Sequence, residues 1–147
     1  MRRATFLLLF LSASWASSLG QSAPKFTTPR IVATFERLGL THELPPTTLY
    51  TPKTWGTFRI SMVMVGTVAN GASDSEWSTI LQFADADNDN APCDLCGTHL
   101  PVDVPRNAST EFPIRARPGQ PITFSVVSFG DTSHTKYNVW VVVEQLM

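Results

Sequence analysis

Apolar and polar residues alternate along much of the chain, and this pattern predicts β-strands. In the stretch TFRISMVMVG one face carries only apolar side chains, those of Phe58, Ile60, Met62 and Met64. Successive side chains of a strand point to opposite sides, so an apolar face with period two indicates a strand that lies on a core. The stretches EWSTILQFAD and FPIRAR show the same alternation and predict two further strands.

The C-terminal part of the chain predicts two apolar strands after a tight turn. The turn is RPGQP, because Pro118 fixes its own φ and Gly119 tolerates a positive φ. ITFSVVSFG follows, and YNVWVVVEQL comes after the polar loop DTSHTK. The last stretch has large residues on both faces, with Tyr137 on one and Trp140 and Val142 on the other. This predicts a central strand that is covered on both sides.

Three upstream segments complete the predicted fold. RIVATFERL has apolar residues at Ile31 and Phe35 that suit a strand or a helical face, and we favour a strand. LPPTTLYTP is extended, since each proline disfavours helix at the residue before it. In LPVDVP apolar and polar residues alternate, and the prolines on both sides confine this segment to a sheet edge. Roughly seven or eight short strands in one domain predict an all-β fold, an antiparallel β-sandwich of jelly-roll type.

The first 20 residues have the pattern of a secretory signal peptide. Arg2 and Arg3 precede the apolar run ATFLLLFL, and small residues take over from Ser12. The run is too short to span a bilayer, and cleavage is expected before Gln21, with a site near Ser17 as the alternative. We therefore expect a signal peptide over residues 1–20 and one β-sandwich domain over residues 21–147, secreted to an extracellular or periplasmic compartment. No later segment approaches the length of a transmembrane helix.

Charge excludes one class of partner. Removal of residues 1–20 takes away two of the 11 basic side chains and none of the 12 acidic ones, which leaves a net acidic chain. Binding of nucleic acid or anionic lipid needs clustered lysine and arginine, so we expect neither. The expected partner is a protein or a glycan, together with further copies of the same chain.

The order of motifs from Leu49 onward resembles the jelly-roll modules of the C1q and tumour-necrosis-factor type. It consists of LYTPKTWGTFRISMVMV, a polar loop, a W…LQF strand, PGQPITFSV and the terminal YNVWVVVEQL, and it covers about residues 45–147. In such modules a Gly-x-aromatic strand, here Gly56 to Phe58, runs through the core. The resemblance implies trimeric assembly and binding without catalysis, although this chain has no collagen-like stalk.

An acidic run, DADNDN, is the strongest candidate for a metal site. Asp85, Asp87 and Asp89 alternate at the spacing with which a loop folds three side-chain oxygens around one cation, and calcium takes six to eight oxygen ligands in flexible geometry. The run resembles the start of EF-hand and thrombospondin type 3 calcium loops. It departs from an EF-hand at Asn90, where a glycine is required, and at Cys96, where the bidentate glutamate stands. A solvated turn after the EWSTILQFAD strand explains the same residues and is favoured over the metal site, because Asp and Asn hydrogen-bond their own backbone in turns.

The pair Cys93 and Cys96 has several possible roles. A thioredoxin-type pair begins a helix, and no helical pattern follows here. Haem attachment needs histidine at the position of Gly97, and zinc would need His99 and Asp94 as further ligands. In an oxidising compartment the default is a local disulfide between Cys93 and Cys96, which stabilises little because the ring is short.

Other polar residues suggest no catalytic constellation. The loop residues Asp131, Ser133 and His134 are too close in sequence to form the relay of a nucleophilic triad. A glycosidase pair could come only from scattered carboxylates, those of Glu36, Glu43, Glu76, Glu111 and Glu144.

Aromatic residues and one sequon are the remaining candidates for ligand contact or modification. Trp77 and Trp140 occupy strand positions typical of a core, while Trp55 is the best candidate for an exposed ligand contact. Asn107 begins the sequon NAS, which matters in a eukaryotic secretory pathway. The sequence therefore predicts a secreted, non-catalytic binding or structural module. A calcium-dependent carbohydrate-binding module is the alternative, and a hydrolase ranks third.

Overall fold

The computed structural model describes residues 28–85, 92–93 and 97–146, with only the backbone for 92–93. The predicted signal peptide, Asp87, Asp89 and Cys96 lie outside the described residues. The strands are β1 (Arg30–Leu40), β2 (Leu44–Tyr50), β3 (Gly56–Val68), β4 (Glu76–Gln82), β5 (Pro92–Cys93), β6 (His99–Pro101), β7 (Asn107–Ala116), β8 (Ile122–Phe129) and β9 (Lys136–Gln145). No helix occurs in these three ranges.

The described strands form two sheets, and every pairing among them is antiparallel. One sheet has four strands in the order β1-β9-β3-β7. The other has the order β2-β8-β4, and β5 and β6 both pair with the outer edge of β4. Apart from β4, β5 and β6, successive strands alternate between the two sheets. This confirms the predicted all-β antiparallel sandwich of jelly-roll type.

The core lies between the sheets and is built from the predicted alternation. Phe58, Ile60, Met62 and Met64 are all buried, as their spacing predicts. Each fully buried side chain of this size contributes about 1.5–3 kcal/mol relative to an exposed one. Strands β4, β8 and β9 supply most of the remaining core side chains, including Trp77, Leu81, Ile122, Phe124, Val126, Tyr137, Val139, Val141 and Val143.

The ambiguous segment near residue 30 is a strand, as we favoured. Phe35 of β1 packs edge-on against Phe124 of β8, with ring centroids 4.7 Å apart. LPVDVP is a strand only as far as Pro101, and its edge position on β4 is as predicted. Beyond that point the chain turns, and Val102 enters the core.

Strand β9 is central, as predicted, but it is not covered on both sides. Its inner face, from Tyr137 to Val143, is buried, whereas Trp140 and Val142 on its outer face are only half-buried. The reason is architectural, because the described strands make two layers and no third layer lies on this sheet. The prediction that Trp140 packs in the core is therefore wrong, while the same prediction for Trp77 is confirmed.

Candidate binding surface

The solvent side of the four-stranded sheet carries apolar side chains on its two central strands, and we call it the outer face. It is defined by the outward residues of four strands, namely Thr34, Glu36, Arg59, Ser61, Val63, Val65, Asn107, Ser109, Glu111, Asn138, Trp140, Val142 and Glu144. Outward and inward residues alternate along each strand, so this face follows directly from the register.

The middle of the outer face is apolar. Val63 lies directly opposite Trp140 across the β3–β9 pairing, and Ser61 lies opposite Val142. Residues opposite each other in antiparallel strands share a face, so the side chains of Val63, Trp140 and Val142 are neighbours. Val63 is 37% exposed. An antiparallel sheet with one solvated face normally carries polar residues there, so this apolar centre departs from the usual pattern.

Polar and charged pairs surround that centre. Arg59 Nε donates a hydrogen bond to Glu144 Oε2 at 2.7 Å, and this carboxylate raises the pKa of the Arg59 guanidinium. On the β1 side, Trp140 Nε1 donates to Glu36 Oε1 at 2.9 Å. On the β7 side, Ser61 Oγ donates to Glu111 Oε1 at 3.2 Å. An apolar centre within a polar rim is the usual composition of a protein interface.

Three of the five glutamates considered for a glycosidase lie on this face, each with a partner. Glu36 accepts from Trp140, Glu111 from Ser61, and Glu144 from Arg59. Glu43 lies elsewhere, where it accepts from the backbone N–H of Ser128 at 3.0 Å and from its hydroxyl at 2.8 Å. The backbone and side-chain hydrogen bonds from Ser128 hold the pKa of Glu43 below its usual value.

The structure brings together a serine, a histidine and a glutamate that the sequence did not pair. Ser78 Oγ lies 2.9 Å and Glu76 Oε1 lies 2.8 Å from the same ring nitrogen, His99 Nδ1. Ser78 Oγ is also 2.9 Å from Glu76 Oε1. A catalytic relay needs the hydroxyl on one imidazole nitrogen and the carboxylate on the other. This cluster instead fastens the short edge strand β6 to β4.

The loop considered for a triad, residues 130–135, is held as a rigid polar turn. Ser133 N donates to Asp131 Oδ1 at 2.9 Å, and hydrogen bonds from Ser133 hold the pKa of Asp131 below its usual value. Asn70 Nδ2 donates to the carbonyls of Asp131 and Ser133 at 2.9 and 3.0 Å. His134 has a φ of 62°, and its charge contributes a smaller part of the lowering of the Asp131 pKa. The interpretation as a polar loop is therefore supported.

The structure places the two remaining candidate contacts, Trp55 and Asp85, at one end of the sandwich. Trp55 is 58% exposed, as expected for a ligand contact. It precedes Gly56, which pairs with Ala116, and Ala116 also forms an isolated bridge with Asp85. Asp85 and Phe83 line a shallow pocket there together with Thr57, Pro113, Ile114 and Arg115. The end of β7 thus pairs with β3 and, through the isolated bridge, with Asp85, the first residue of the acidic run.

The metal and disulfide predictions depend mostly on residues outside the described ranges. Of the acidic run only Asp85 is described, and Cys93 is known only by its backbone pairing with Leu81. Within the described part of the chain no group of three His, Cys, Asp or Glu side chains is placed to hold a metal ion. Gly97, just after the cysteine pair, packs so closely on Thr79 that a Cβ would collide with its carbonyl. This close packing against Thr79 explains why residue 97 is a glycine.

The apolar centre of the outer face was missed by sequence reasoning. Two stretches indicated apolar residues on the solvent side of the sheet. Valines interrupt the polar side of β3, and YNVWVVVEQL is apolar on both sides. Neither stretch shows alone that Val63 and Trp140 are neighbours. That relationship depends on the β3–β9 register, which joins residues 77 positions apart in the sequence.

The fold and the outer face together define an antiparallel β-sandwich module with an apolar surface on one sheet. No protein-family model matches the sequence, and no curated protein matches it. Among solved structures the chain is similar to "Structure of Eiger TNF from S. frugiperda", with 11% sequence identity and a TM-score of 0.43. That similarity covers 80% of this chain and 94% of that chain. In the described residues no helix is long and apolar enough to cross a membrane.

Proposed function

We propose that this protein is a secreted, non-catalytic β-sandwich module that self-associates through its outer face. The observation that carries the proposal is the apolar centre formed by Val63, Trp140 and Val142 on the two central strands of that face. Within one chain no element of the described residues covers these side chains. A second copy would remove them from water, which is the main favourable term in protein association.

The polar rim supports a specific rather than a diffuse contact. Arg59 and Glu144 lie side by side on adjacent central strands, and Glu36 and Glu111 flank the centre on the two outer strands. Charges placed around an apolar centre fix the register of two partners and exclude wrong ones. The resemblance of the motif order to C1q and tumour-necrosis-factor modules, which usually form trimers, makes three the stoichiometry to test first.

The arrangement of the polar residues supports a role without catalysis. The hydroxyl of Ser78 and the carboxylate of Glu76 share one nitrogen of His99, which leaves no proton path through the ring. The outer-face glutamates are each engaged by a neighbouring donor.

Light scattering coupled to size exclusion tests the proposal on protein secreted by cells that express the full chain. We expect wild-type protein to form an oligomer whose population grows with concentration, and the Val63→Arg variant to remain a monomer. Val104→Arg is the matched control, because Val104 is 49% exposed but lies in the loop between β6 and β7 and is not one of the outer-face residues. A wild-type monomer at every concentration would contradict the proposal.

A calcium-dependent carbohydrate-binding module is a second candidate, favoured by the position of Trp55. The exposed indole lies at the end of the sandwich where Ala116 bridges to Asp85, so a bound sugar and a metal at the acidic run would be close. Aromatic faces stack on sugar rings, and calcium at Asp85, Asp87 and Asp89 would orient them. Glycan-array binding that is lost both in EDTA and in Trp55→Ala would establish it, while binding that survives both changes would refute it.

Calcium binding itself is tested by thermal unfolding in EDTA and in millimolar calcium. A cation at about a hundred times its dissociation constant adds roughly 2.7 kcal/mol to the free energy of unfolding. A rise in melting temperature that is lost in Asp87→Ala assigns the acidic run to a metal loop. An unchanged melting temperature assigns it to a solvated turn.

A further inference from the structure

We propose that Asn107 is a site of N-linked glycosylation and that its oligosaccharide lies at the β7 rim of the outer face. The chain has five asparagines, and only Asn107 is followed by the required pattern, with Ala108 in the middle and Ser109 in the third position. The proposal requires that residues 1–20 direct the chain into a eukaryotic secretory pathway.

The structure places this sequon where an oligosaccharide can be carried. Asn107 is the first residue of β7, and both Asn107 and Ser109 are exposed, while Ala108 points inward and packs against the core. The backbone just before the sequon is fixed, since Gly66 N donates to the carbonyl of Arg106 at 2.8 Å. The Arg106 guanidinium is bound to both oxygens of Asp103, at 2.7 and 2.9 Å.

The reaction is a transfer from a lipid-linked oligosaccharide, the co-reactant supplied by the secretory pathway. The side-chain nitrogen of Asn107 forms a bond to C1 of the first N-acetylglucosamine. The bond from C1 to the pyrophosphate oxygen breaks, and its electron pair leaves with the polyprenyl pyrophosphate. One proton leaves the amide nitrogen for a base of the transferase that the secretory pathway supplies, so that charge and atoms balance.

The sheet register fixes where the first sugar lies relative to the apolar centre. Asn107 pairs with Val65, and Val63 is two residues further along the same strand and pairs with Ser109. With strands about 4.8 Å apart and about 3.4 Å per residue, the Cα of Asn107 lies roughly 8 Å from that of Val63. A branched oligosaccharide attached there covers the rim at the start of β7.

This placement limits how a second copy can approach, a consequence that rests on the proposed self-association. Strand β7 is the edge of the sheet, and β9 and β1 lie on the side away from Asn107. A partner that covers Trp140 and Val142 from the β1 side leaves the glycan in solvent. Full face-to-face overlap would instead bury the glycan and is excluded.

The first test is the mass of the protein secreted from insect or mammalian cells expressing the full chain. Wild-type protein is expected to lose mass on treatment with peptide N-glycosidase. The Asn107→Gln and Ser109→Ala variants should both be secreted without the glycan. The Ser109→Thr variant preserves the sequon and should therefore carry the glycan. Both substitutions at Ser109 are on an exposed side chain, so they form a matched pair. A wild-type mass unchanged by the enzyme would overturn the proposal.

The second test is the oligomeric state before and after enzymatic removal of the glycan. Because the oligosaccharide lies at the rim, we expect the same stoichiometry in both states. A change of stoichiometry on its removal would overturn the rim placement. The mass shift does not depend on the oligomeric state of the protein. A glycosylated protein that stays monomeric would therefore refute the proposed self-association but establish the modification site.

Discussion

The indole nitrogen of Trp77 donates a hydrogen bond to the hydroxyl of Thr135 at 2.9 Å. The same hydroxyl donates to the carbonyl of Thr132 at 2.6 Å, and the Trp77 ring packs at 4.8 Å from the ring of Tyr137. Trp77 and Thr135 are both almost wholly buried, at 2% and 1% exposure. This pair joins strand β4 to the loop before β9, which orders the end of the sandwich around residues 130–135.

The first prediction concerns that hydroxyl. Thr135→Val keeps the volume but leaves the buried Trp77 N–H without its acceptor, while the Thr132 carbonyl keeps only the longer hydrogen bond from the backbone N–H of Thr135. This should lower the free energy of unfolding by about 1–3 kcal/mol. Thr135→Ser keeps the hydroxyl and loses one methyl group, so its cost should be smaller. Urea unfolding of the three proteins measures the difference. Equal losses in the two variants would show that the hydrogen bonds contribute little.

The second prediction uses two glycines with positive φ. Gly130 has a φ of 70°, and an added Cβ would collide with Ser75 Oγ and lie 2.8 Å from the Asp74 carbonyl. Gly119 has a φ of 75°, but an added Cβ would meet open space. Gly119→Ala should therefore cost only the backbone strain, about 1–2 kcal/mol. Gly130→Ala should cost about 1–3 kcal/mol more because the side chain is overpacked. Thermal unfolding measures the stability of both variants. A Gly119→Ala protein that is less stable than the Gly130→Ala protein would contradict this account.

The third prediction is a loss of stability at alkaline pH. Burial, with a smaller contribution from the charge of Glu43, raises the pKa of Tyr137 above its usual value of 10.0. Above that value the unfolded chain gives up the phenol proton while the folded chain keeps it. The unfolded state then binds fewer protons, so stability falls as pH rises, by up to about 1.4 kcal/mol per pH unit.

Tyr137→Phe should remove this alkaline slope, because the titrating group is gone. It should also lower stability at neutral pH, since the hydroxyl donates to the His42 carbonyl at 2.9 Å. Tyr50→Phe leaves Tyr137 in place and is expected to keep the slope. Urea unfolding between pH 8 and pH 11 gives the comparison. A slope that survives in Tyr137→Phe would assign it to another group.

The fourth prediction tests the absence of a serine nucleophile. Ser78 Oγ and Glu76 Oε1 meet at one nitrogen of His99, so the imidazole cannot pass a proton from the hydroxyl to the carboxylate side. A fluorophosphonate probe should therefore leave the native protein unlabelled under conditions in which a known serine hydrolase reacts. Labelling of the wild type that disappears in Ser78→Ala would show a nucleophile and overturn the non-catalytic proposal.

Much of the fold could be predicted from local patterns. Phe58, Ile60 and Met62 are spaced two residues apart, and the core position of their face follows from strand geometry alone. The prolines around LPVDVP likewise predicted the edge position of β6. Trp140 was assigned incorrectly because an apolar residue within a strand fits either face. Whether Trp140 is buried depends on whether a further layer packs on the outer side of its sheet.

The candidate site could be predicted only in part. Trp55 was identified as an exposed aromatic from its place between Thr54 and Gly56, and the structure leaves it exposed. The cluster of Glu76, Ser78 and His99 was not foreseen, since His99 comes 21 residues after Ser78 and reaches it only through the β4–β6 pairing. Spacing along the chain carries no information on such a contact.

The sequence by itself determined the main strands, the inward residues of those with a clear apolar alternation such as β3, and the antiparallel all-β class. These follow from the two-residue period of side chains and from where proline and glycine interrupt it, which are local properties of the backbone. Only the tertiary structure decided that Val63 lies opposite Trp140 and that Ala116 pairs with both Gly56 and Asp85. Those contacts depend on strand order and register, which are fixed when the apolar faces of distant strands are buried together.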